Sequence, residues 1–211
     1  MTTAMSQVGT KWNLNRKLEK DFYLSSASQV APRLLGKVIV KKEGNFILAA
    51  RIVEVEAYLG KKDKASHAFG GRRTSRTQIM YEEGGRVYIY KIYGLCWCFN
   101  IVTSVKDNPQ TVFVRAVEPL AGIDLMRQRR KNKNPSFLTN GPCRWTESFG
   151  LDKAFLGRKL YADKELFVVE DKSFTSFVIK RDKRIGIDYA AEDKNRLWRF
   201  YIKGNPWVSV R

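Results

Sequence analysis

The sequence predicts an α+β domain, a mostly antiparallel β-sheet with surrounding helices and a protruding β-hairpin. Short runs rich in β-branched and aromatic residues outnumber the segments with helical spacing. The connections between neighbouring runs are too short for parallel crossovers, which favours antiparallel pairing. A length of 211 residues suits one large domain or two small ones, and no repeat or long linker divides the chain. We therefore expect a loose, basic N-terminal segment at 1–20 and a single domain at 21–211.

The first part of that domain predicts a helix and then two antiparallel strands. Helical spacing continues through Pro32, so this proline must lie in the first turn or kink the helix, and Gly36 ends it. β-Branched residues on either side of a Gly–Asn pair then predict a strand, a turn and a returning strand. The predicted bounds are a helix at 27–35, a strand at 37–41, a turn at 43–45 and a strand from 47 onward.

The returning strand contains two glutamates. Glu54 and Glu56 in the stretch 51–60 share one strand face at a separation of roughly 7 Å. Like charges at this distance repel each other, and these two stand among apolar residues of a basic chain. They are surface acids, partners of nearby arginines, or members of a functional site. Alternation places Val53, Val55, Ala57 and Leu59 on one face and Ile52, Glu54, Glu56 and Tyr58 on the other.

A long polar loop follows, from Gly60 to Gly85. It contains the sole histidine, His67, and a cluster of glycines, threonines and arginines that includes Arg72 and Arg76. Loops of this length inside a compact domain are usually functional or disordered. Because guanidinium and backbone N–H groups bind phosphates, the loop is either a phosphate-contacting segment or a flexible, solvated one.

Residues 86–100 predict a β-hairpin whose break is Tyr93–Gly94. A two-residue loop would prefer Asn or Asp before the glycine, so turn chemistry does not explain the tyrosine. Tyr93 therefore either inserts from an exposed tip into a partner or packs back on the domain. If this pair forms the loop, one face of the hairpin carries Tyr88, Tyr90, Ile92, Leu95, Trp97 and Phe99.

The second half of the chain predicts short strands and two helices. Glu118–Pro119 opens the first helix, and the basic run 126–133 at its end is either a solvated face or a phosphate contact. Residues 140–142, Asn-Gly-Pro, start the second helix. The predicted strands are 111–117, 166–170, 175–180, 184–187 and 198–202, and the predicted helices are 120–131 and 143–149.

The three cysteines do not indicate a metal site. Cys96 and Cys98 would share one strand face, Cys143 is distant in sequence, and none has the usual zinc spacing. We therefore expect buried, reduced thiols.

The charge balance indicates a polyanionic partner. Lys and Arg total 39 against 21 acidic residues, a net charge of +18. Such a charge opposes compaction unless a polyanion is bound, so nucleic acid is the leading partner and an anionic membrane surface the second. The sequence has no run of 18 apolar residues and no signal pattern at residues 1–7. We expect a cytoplasmic, nucleoid-associated protein in a bacterium or a nuclear protein in a eukaryote.

Several motifs occur together in a fixed order. They are RIVEVEAYLG at 51–60, ASH at 65–67, GRRT at 71–74, VYIYKIYG at 87–94, Asn100, VRAVEP at 114–119, NGP at 140–142, RIG at 184–186 and FYIKGNPWVS at 200–209. With them the chain resembles, over about 22–209, the alkyladenine (3-methyladenine) DNA glycosylases of the mammalian and bacterial type. It departs from that family where Thr77 replaces a frequent Asn, Gly84 a frequent Pro and Trp145 a frequent Leu.

The resemblance implies base excision. Such an enzyme binds duplex DNA, flips out a damaged purine and hydrolyses its N-glycosidic bond, leaving an abasic site. The substrate class is 3-methyladenine, 7-methylguanine, hypoxanthine and ethenoadenine. No lysine stands at the nucleophile position, so we expect attack by water without strand cleavage. The resemblance implies no metal or organic cofactor, and we expect a monomer.

The resemblance also assigns site residues. Glu56 is the general base that activates water and stabilises an oxocarbenium-like sugar, Arg115 orients it or contacts the nucleotide, and Glu54 is structural. Tyr93 fills the gap left by the flipped base. Tyr58, His67 and Tyr90 form the base pocket, Asn100 excludes undamaged guanine by a clash with its exocyclic amine, and Arg72, Arg76 and Arg130 are expected at the DNA backbone.

Two other functions fit parts of the pattern. A metal-dependent nuclease would use Glu54 and Glu56, but such a pair without further clustered acids is a poor magnesium site, and EDTA-insensitive activity would argue against it. A non-catalytic binder of DNA or RNA shape would use only the charge and Tyr93. Release of free base from alkylated duplex DNA separates it from a glycosylase.

Overall fold

One antiparallel β-sheet organises the chain, which confirms the α+β prediction. The computed structural model describes residues 14, 16–131 and 137–210, so most of the predicted N-terminal segment 1–20 lies outside the description. The strands are β1 (Val38–Glu43), β2 (Phe46–Tyr58), β3 (Val87–Ile92), β4 (Cys96–Thr103), β5 (Gln110–Ala121), β6 (Leu166–Val169), β7 (Ile179–Asp182) and β8 (Arg199–Ile202), and the α-helices are α1 (Ala27–Leu34), α2 (Ile123–Arg130) and α3 (Pro142–Phe149). The sheet order is β3–β4–β5–β2–β1–β6, and β8 pairs with both β2 and β7.

The long strand β2 is the centre of this sheet. It pairs with β5 along most of its length, with β1 in its first half and with β8 at Glu54–Glu56. Irregularities in the β2–β5 register near Ile52 break the strict alternation, so Ile52 and Val53 both join the main core. Glu54 and Glu56 are fully buried. Their interpretation as surface acids is therefore wrong, and both are partners of arginines.

Helix α1 packs its apolar side on the sheet. A capping box starts it, with Ser26 as the N-cap residue and Gln29 three residues later. Pro32 lies in the second turn rather than the first, and the helix ends two residues later at Leu34. Gly36 ends it with φ +82°, and a Cβ at this position would lie 2.8 Å from the nearby Phe177 ring. Among the residues that the structure describes, we find no helix that could span a lipid bilayer.

Helix α3 covers the β4–β5 region of the sheet. It begins at Pro142, in agreement with the Asn-Gly-Pro signal, and buries Trp145 and Phe149. The Trp145 indole N–H donates to the Val114 carbonyl at 2.9 Å, and its ring packs edge-on against Phe99. The tryptophan therefore fills the core with its polar group satisfied.

The other two departures from the family pattern are also accommodated locally. The Thr77 hydroxyl donates to the Arg72 carbonyl at 3.1 Å and helps to fold the long loop. At Gly84 a Cβ would lie 2.4 Å from the Tyr23 carbonyl oxygen. The chain at that point requires the absence of a side chain.

The β3–β4 hairpin differs from the expected register. Ile92 lies opposite Cys96, so the loop has three residues, with Tyr93 and Gly94 both in the left-handed region at φ 50° and 69°. A shift of one residue moves side chains to the other face of a strand. The prediction that Leu95, Trp97 and Phe99 share a face with the tyrosines is therefore wrong. The residues that share that face are Tyr88, Tyr90, Ile92, Cys96, Cys98 and Asn100.

Three element boundaries are also corrected. Strand β5 continues through Glu118–Pro119 because the first half of β2 offers it pairing partners, and α2 starts only after the left-handed Gly122. The predicted strand 184–187 is wrong, because Arg184 turns inward to a buried carboxylate. The predicted strand 175–180 begins at Ile179, and residues 132–133 of the basic run lie outside the described residues.

The expectation of three reduced thiols is wrong for two of them. Cys96 and Cys143 form a disulfide with a Cα–Cα distance of 5.3 Å, which joins β4 to α3. The two residues are 47 positions apart, and only the packing of α3 on β4 brings them together. Cys98 is free and buried, and burial raises the pKa of its thiol to about 11.

Candidate functional site

A cavity of about 610 Å³ opens beside the β3–β4 hairpin. Its walls come from β2, β3, β4 and β5, from the long loop 60–85, from the start of α3 and from residues 185–189. Of the sequence-predicted site residues, those that line it are Tyr58, His67, Arg76, Tyr90, Tyr93, Asn100 and Arg115. The fold therefore gathers predicted site residues from four strands and two loops around a single space.

Glu56 lies directly behind this lining and contacts three of its members. Its Oε1 accepts a hydrogen bond from the Ile185 backbone N–H at 2.8 Å and lies 3.3 Å from the Arg115 guanidinium. Its Oε2 accepts from the Tyr58 hydroxyl at 2.9 Å. A carboxylate oxygen has two lone pairs, so Oε2 retains an acceptor position beyond this bond.

Glu54 has a different environment although it shares Arg115. Its oxygens accept from Arg115 Nε at 3.3 Å, from Arg199 Nη1 at 3.0 Å and from the Ser209 backbone N–H at 2.7 Å. Burial would lower the pKa of Arg115, but Glu56 and Glu54 together hold it above its ordinary value. Two arginines thus contact two buried carboxylates, and Glu54 ties β5, β8 and the C-terminal turn to β2.

Aromatic rings enclose the inner part of the cavity. His67 lies edge-on to Tyr90 with ring centroids 4.7 Å apart, and its Nδ1 is 2.7 Å from the Tyr88 hydroxyl. Burial, and then Arg76 and Arg72, lower the pKa of His67 to about 4, so the imidazole is neutral at pH 7. Burial raises the pKa of Tyr88 to about 12 and that of Tyr90 further. The His67, Tyr88 and Tyr90 side chains themselves are therefore uncharged at pH 7.

Tyr58 and Asn100 complete the enclosure. The Tyr58 ring lies under the Arg184 guanidinium at 4.6 Å, and burial followed by the Glu56 carboxylate raises the pKa of its hydroxyl well above the usual value. The hydroxyl therefore acts as a donor to Glu56. Asn100 is buried and its side-chain amide makes a long contact, 3.4 Å, to the Cys98 carbonyl.

The hairpin tip stands at the mouth of the cavity. Tyr93 is 89% exposed and Leu95 83% exposed, while Ile92 and Tyr93 also line the opening. The alternative that Tyr93 packs back on the domain is wrong. An aromatic ring exposed to solvent at the tip of a hairpin is available to a partner.

The structure does not place the three predicted backbone arginines together. Arg72 is exposed on the long loop. Arg76 lines the cavity with its guanidinium carbon 4.6 Å from the Tyr90 ring centroid. Arg130 ends α2 and forms an ion pair with Glu147 of α3.

Sequence reasoning missed two contributors to the site. Tyr189 lines the cavity mouth, is 70% exposed, and places its hydroxyl 3.4 Å from the Ala65 carbonyl. Ile185 supplies the backbone N–H that holds Glu56. The RIG motif at 184–186 indicated that this segment matters to the family. The sequence predicted a strand there, however, and that prediction gave no reason to expect the Ile185 N–H to bind Glu56 on β2.

The ionic contacts bear on the nuclease alternative. Within residues 14, 16–131 and 137–210, no group of three or more His, Cys, Asp or Glu side chains is arranged to hold a metal ion. Arg115 contacts both Glu54 and Glu56, and Arg199 contacts Glu54. A metal ion at these carboxylates would have to displace or tolerate those positive charges.

Comparisons with known proteins find related sequences. Residues 21–206 match the model of a family described as Methylpurine-DNA glycosylase (MPG). A protein of Natranaerobius thermophilus named "Putative 3-methyladenine DNA glycosylase" is 44% identical over 196 residues, which cover 92% of this chain and 99% of that protein. A Clostridium novyi protein of the same name is 46% identical over 204 residues, covering 93% and 100% of the two chains.

Proposed function

The chain belongs to the methylpurine-DNA glycosylase family, and from this premise we propose that it flips damaged purines out of duplex DNA and hydrolyses their N-glycosidic bonds with a water activated by Glu56. It is a DNA glycosylase, a hydrolase of N-glycosyl bonds that acts on DNA. The proposed substrates are 3-methyladenine, as in the names of its relatives, together with 7-methylguanine, hypoxanthine and ethenoadenine. The bacterial relatives favour the nucleoid as its place of action, and we propose that it acts there as a monomer.

The observation that carries the mechanism is the environment of Glu56. The Ile185 N–H and Arg115 hold Oε1, so that Oε2 is left to the Tyr58 hydroxyl, and all three of these residues line the cavity. A water bound there would give its proton to the carboxylate as its oxygen attacks the sugar C1′. The same negative charge would stabilise the oxocarbenium-like sugar. Arg115 acts as the positioning residue for this carboxylate.

The aromatic enclosure supports binding of the flipped base. Tyr58, His67 and Tyr90 offer flat surfaces, and a neutral His67 adds no repulsion toward a cationic alkylated purine. Asn100 is buried at the wall, where an exocyclic amine of guanine would meet its amide. Arg72 and Arg130 are proposed to contact the DNA backbone, Arg130 in exchange for its pairing with Glu147.

The test is release of free base from defined duplexes. Purified protein is incubated with 25-mer duplexes that each contain one of the four lesions, and free base and alkali-labile sites are measured with and without EDTA. We expect base release that EDTA does not affect, and no strand cleavage before alkali. Tight binding to lesion duplex without any base release would support the non-catalytic alternative, and EDTA-sensitive strand cleavage the nuclease.

We propose that Tyr93 occupies the gap left by the flipped nucleotide. Extrusion costs a few kcal/mol of pairing and stacking, and base–aromatic stacking returns about 1–3 kcal/mol. Tyr93→Ala is expected to reduce the flipped population of a fluorescent base analogue in stopped-flow measurements. Its excision defect should be largest for well-paired lesions and smallest for mispaired ones.

The exposure of Tyr93 makes this test specific. Because its ring is almost fully in solvent, Tyr93→Ala should melt at the temperature of the wild type. Phe46→Ala, which removes an exposed aromatic at the distant β1–β2 turn, is the matched control. Unchanged flipping in Tyr93→Ala, or a strongly lowered melting temperature, would assign the wedge to another residue.

A further inference from the structure

Arg76 and Arg73 lie on the same loop but face different surroundings. Each guanidinium carbon lies over a tyrosine ring, at 4.6 Å from Tyr90 for Arg76 and at 4.7 Å from Tyr81 for Arg73. Arg73 also pairs with the exposed Asp107 at 3.4 Å. Arg76 lines the cavity and Arg73 does not. Of these two cations, only Arg76 stands beside the space in which the base is proposed to bind.

The charge of Arg76 acts on the side chains around that space. After burial, Arg76 is the main cause of the lowered pKa of His67, and it also opposes the rise in the pKa of Tyr88. Tyr90, which stacks under Arg76, shows the same opposing influence. Three cavity residues therefore experience a positive field from one guanidinium.

The proposed reaction distributes charge differently for the two classes of lesion. In each case the bond between the sugar C1′ and the purine nitrogen breaks, its electron pair leaves with the purine, hydroxide from water adds to C1′, and the proton of that water passes to Glu56. A cationic purine such as 7-methylguanine departs neutral. A neutral purine such as hypoxanthine departs with a developing negative charge. Measured from free enzyme and free DNA, a fixed cation beside the base stabilises the transition state of the second kind of departure, in which the base carries negative charge, and not that of the first, in which the base still carries positive charge.

Resting on the proposed function, we propose that Arg76 is a specificity-determining residue that favours excision of neutral damaged purines over cationic ones. Its guanidinium stabilises the charge that develops on a neutral leaving base and repels a base that is already positive in the ground state. Arg76 thus changes the relative rates at which the enzyme excises different lesions, in addition to any contact that it makes with a phosphate.

The experiment compares two lesions in otherwise identical duplexes under single-turnover conditions, with enzyme in excess of DNA but below saturation, so that the rate reports the transition state relative to free enzyme and free DNA. Arg76→Met keeps an extended apolar side chain over Tyr90 and removes the charge, Arg76→Lys keeps the charge, and Arg73→Met is the matched control. We expect Arg76→Met to slow hypoxanthine release about tenfold more than 7-methylguanine release, as a nearby charge at intermediate dielectric predicts. Arg76→Lys should restore most of the ratio, and Arg73→Met should leave it unchanged.

A second measurement is independent of catalysis. The pKa of His67, followed by NMR in the free protein, should rise in Arg76→Met and not in Arg73→Met. Equal slowing of both lesions by Arg76→Met, with an unchanged His67 pKa, would overturn the inference and leave Arg76 as a backbone contact. Absence of base release by the wild type would instead overturn the proposed function itself.

Discussion

Glu56→Gln is expected to reduce the rate of base release by about 10²–10⁴-fold, because a positioned acid–base group contributes that much. The substitution keeps the shape of the side chain, so an amide oxygen can still accept from the Ile185 N–H. It removes the proton acceptor and the charge opposite the sugar. Affinity for lesion-containing duplex should remain close to that of the wild type. Single-turnover excision and equilibrium binding measure the two effects separately.

Glu54→Gln is the informative comparison for that result. Glu54 is fully buried between Arg115 and Arg199, so its neutralisation should lower stability. Measured well below the melting temperature of both variants, Glu54→Gln should retain much more excision than Glu56→Gln. Near-normal rates in Glu56→Gln, or a dead Glu54→Gln with intact fold, would show that the wrong carboxylate has been assigned.

Arg184→Ala is expected to cost about 3–5 kcal/mol of folding free energy, since it leaves a buried charge without its partner. Arg184 donates to both Asp63 oxygens, at 2.6 and 2.8 Å, and both side chains are fully buried. It also donates to the Ala57 carbonyl and stacks on Tyr58. At about 2–4 °C per kcal/mol for a chain of this size, the melting temperature should fall by roughly 6–20 °C.

A solvent-exposed pair provides the control for this prediction. Lys64 and Glu192 approach to 2.8 Å with both side chains exposed, so Lys64→Ala should cost less than about 1 kcal/mol. The double variant Asp63→Asn/Arg184→Ala should be less unstable than the sum of its single variants, because no unpaired charge remains. A loss below about 1 kcal/mol in Arg184→Ala would mean that water reaches Asp63 in place of the guanidinium.

Local sequence signals were sufficient to predict several secondary-structure elements. The period of apolar residues predicted the antiparallel β1–β2 pair, a glycine predicted the end of α1, and proline predicted the start of α3. These features depend on residues close together in the chain, whose conformational preferences act before any tertiary contact forms. The same reasoning found that turn chemistry does not explain Tyr93, and the structure leaves that side chain in solvent.

Most site residues were predicted from the family motifs rather than from the periodicity of apolar residues. Spacing placed Glu54 and Glu56 on one face, but the separate roles proposed for them came from the resemblance. The structure shows the physical difference between them: Glu56 contacts cavity residues, whereas Glu54 contacts Arg199 and the C-terminal turn. That difference depends on β8, which lies more than 140 residues from Glu54 along the chain.

The sequence by itself determined the α+β class, most of the elements and the charge that suits a nucleic-acid partner. Tertiary structure alone decided the hairpin register, the Cys96–Cys143 bond, the inward turn of Arg184 and the position of Arg76 at the cavity. Each of these involves groups whose alternatives are nearly equal in local energy. Contacts with distant segments distinguish those alternatives, and these contacts exist only once the chain has folded.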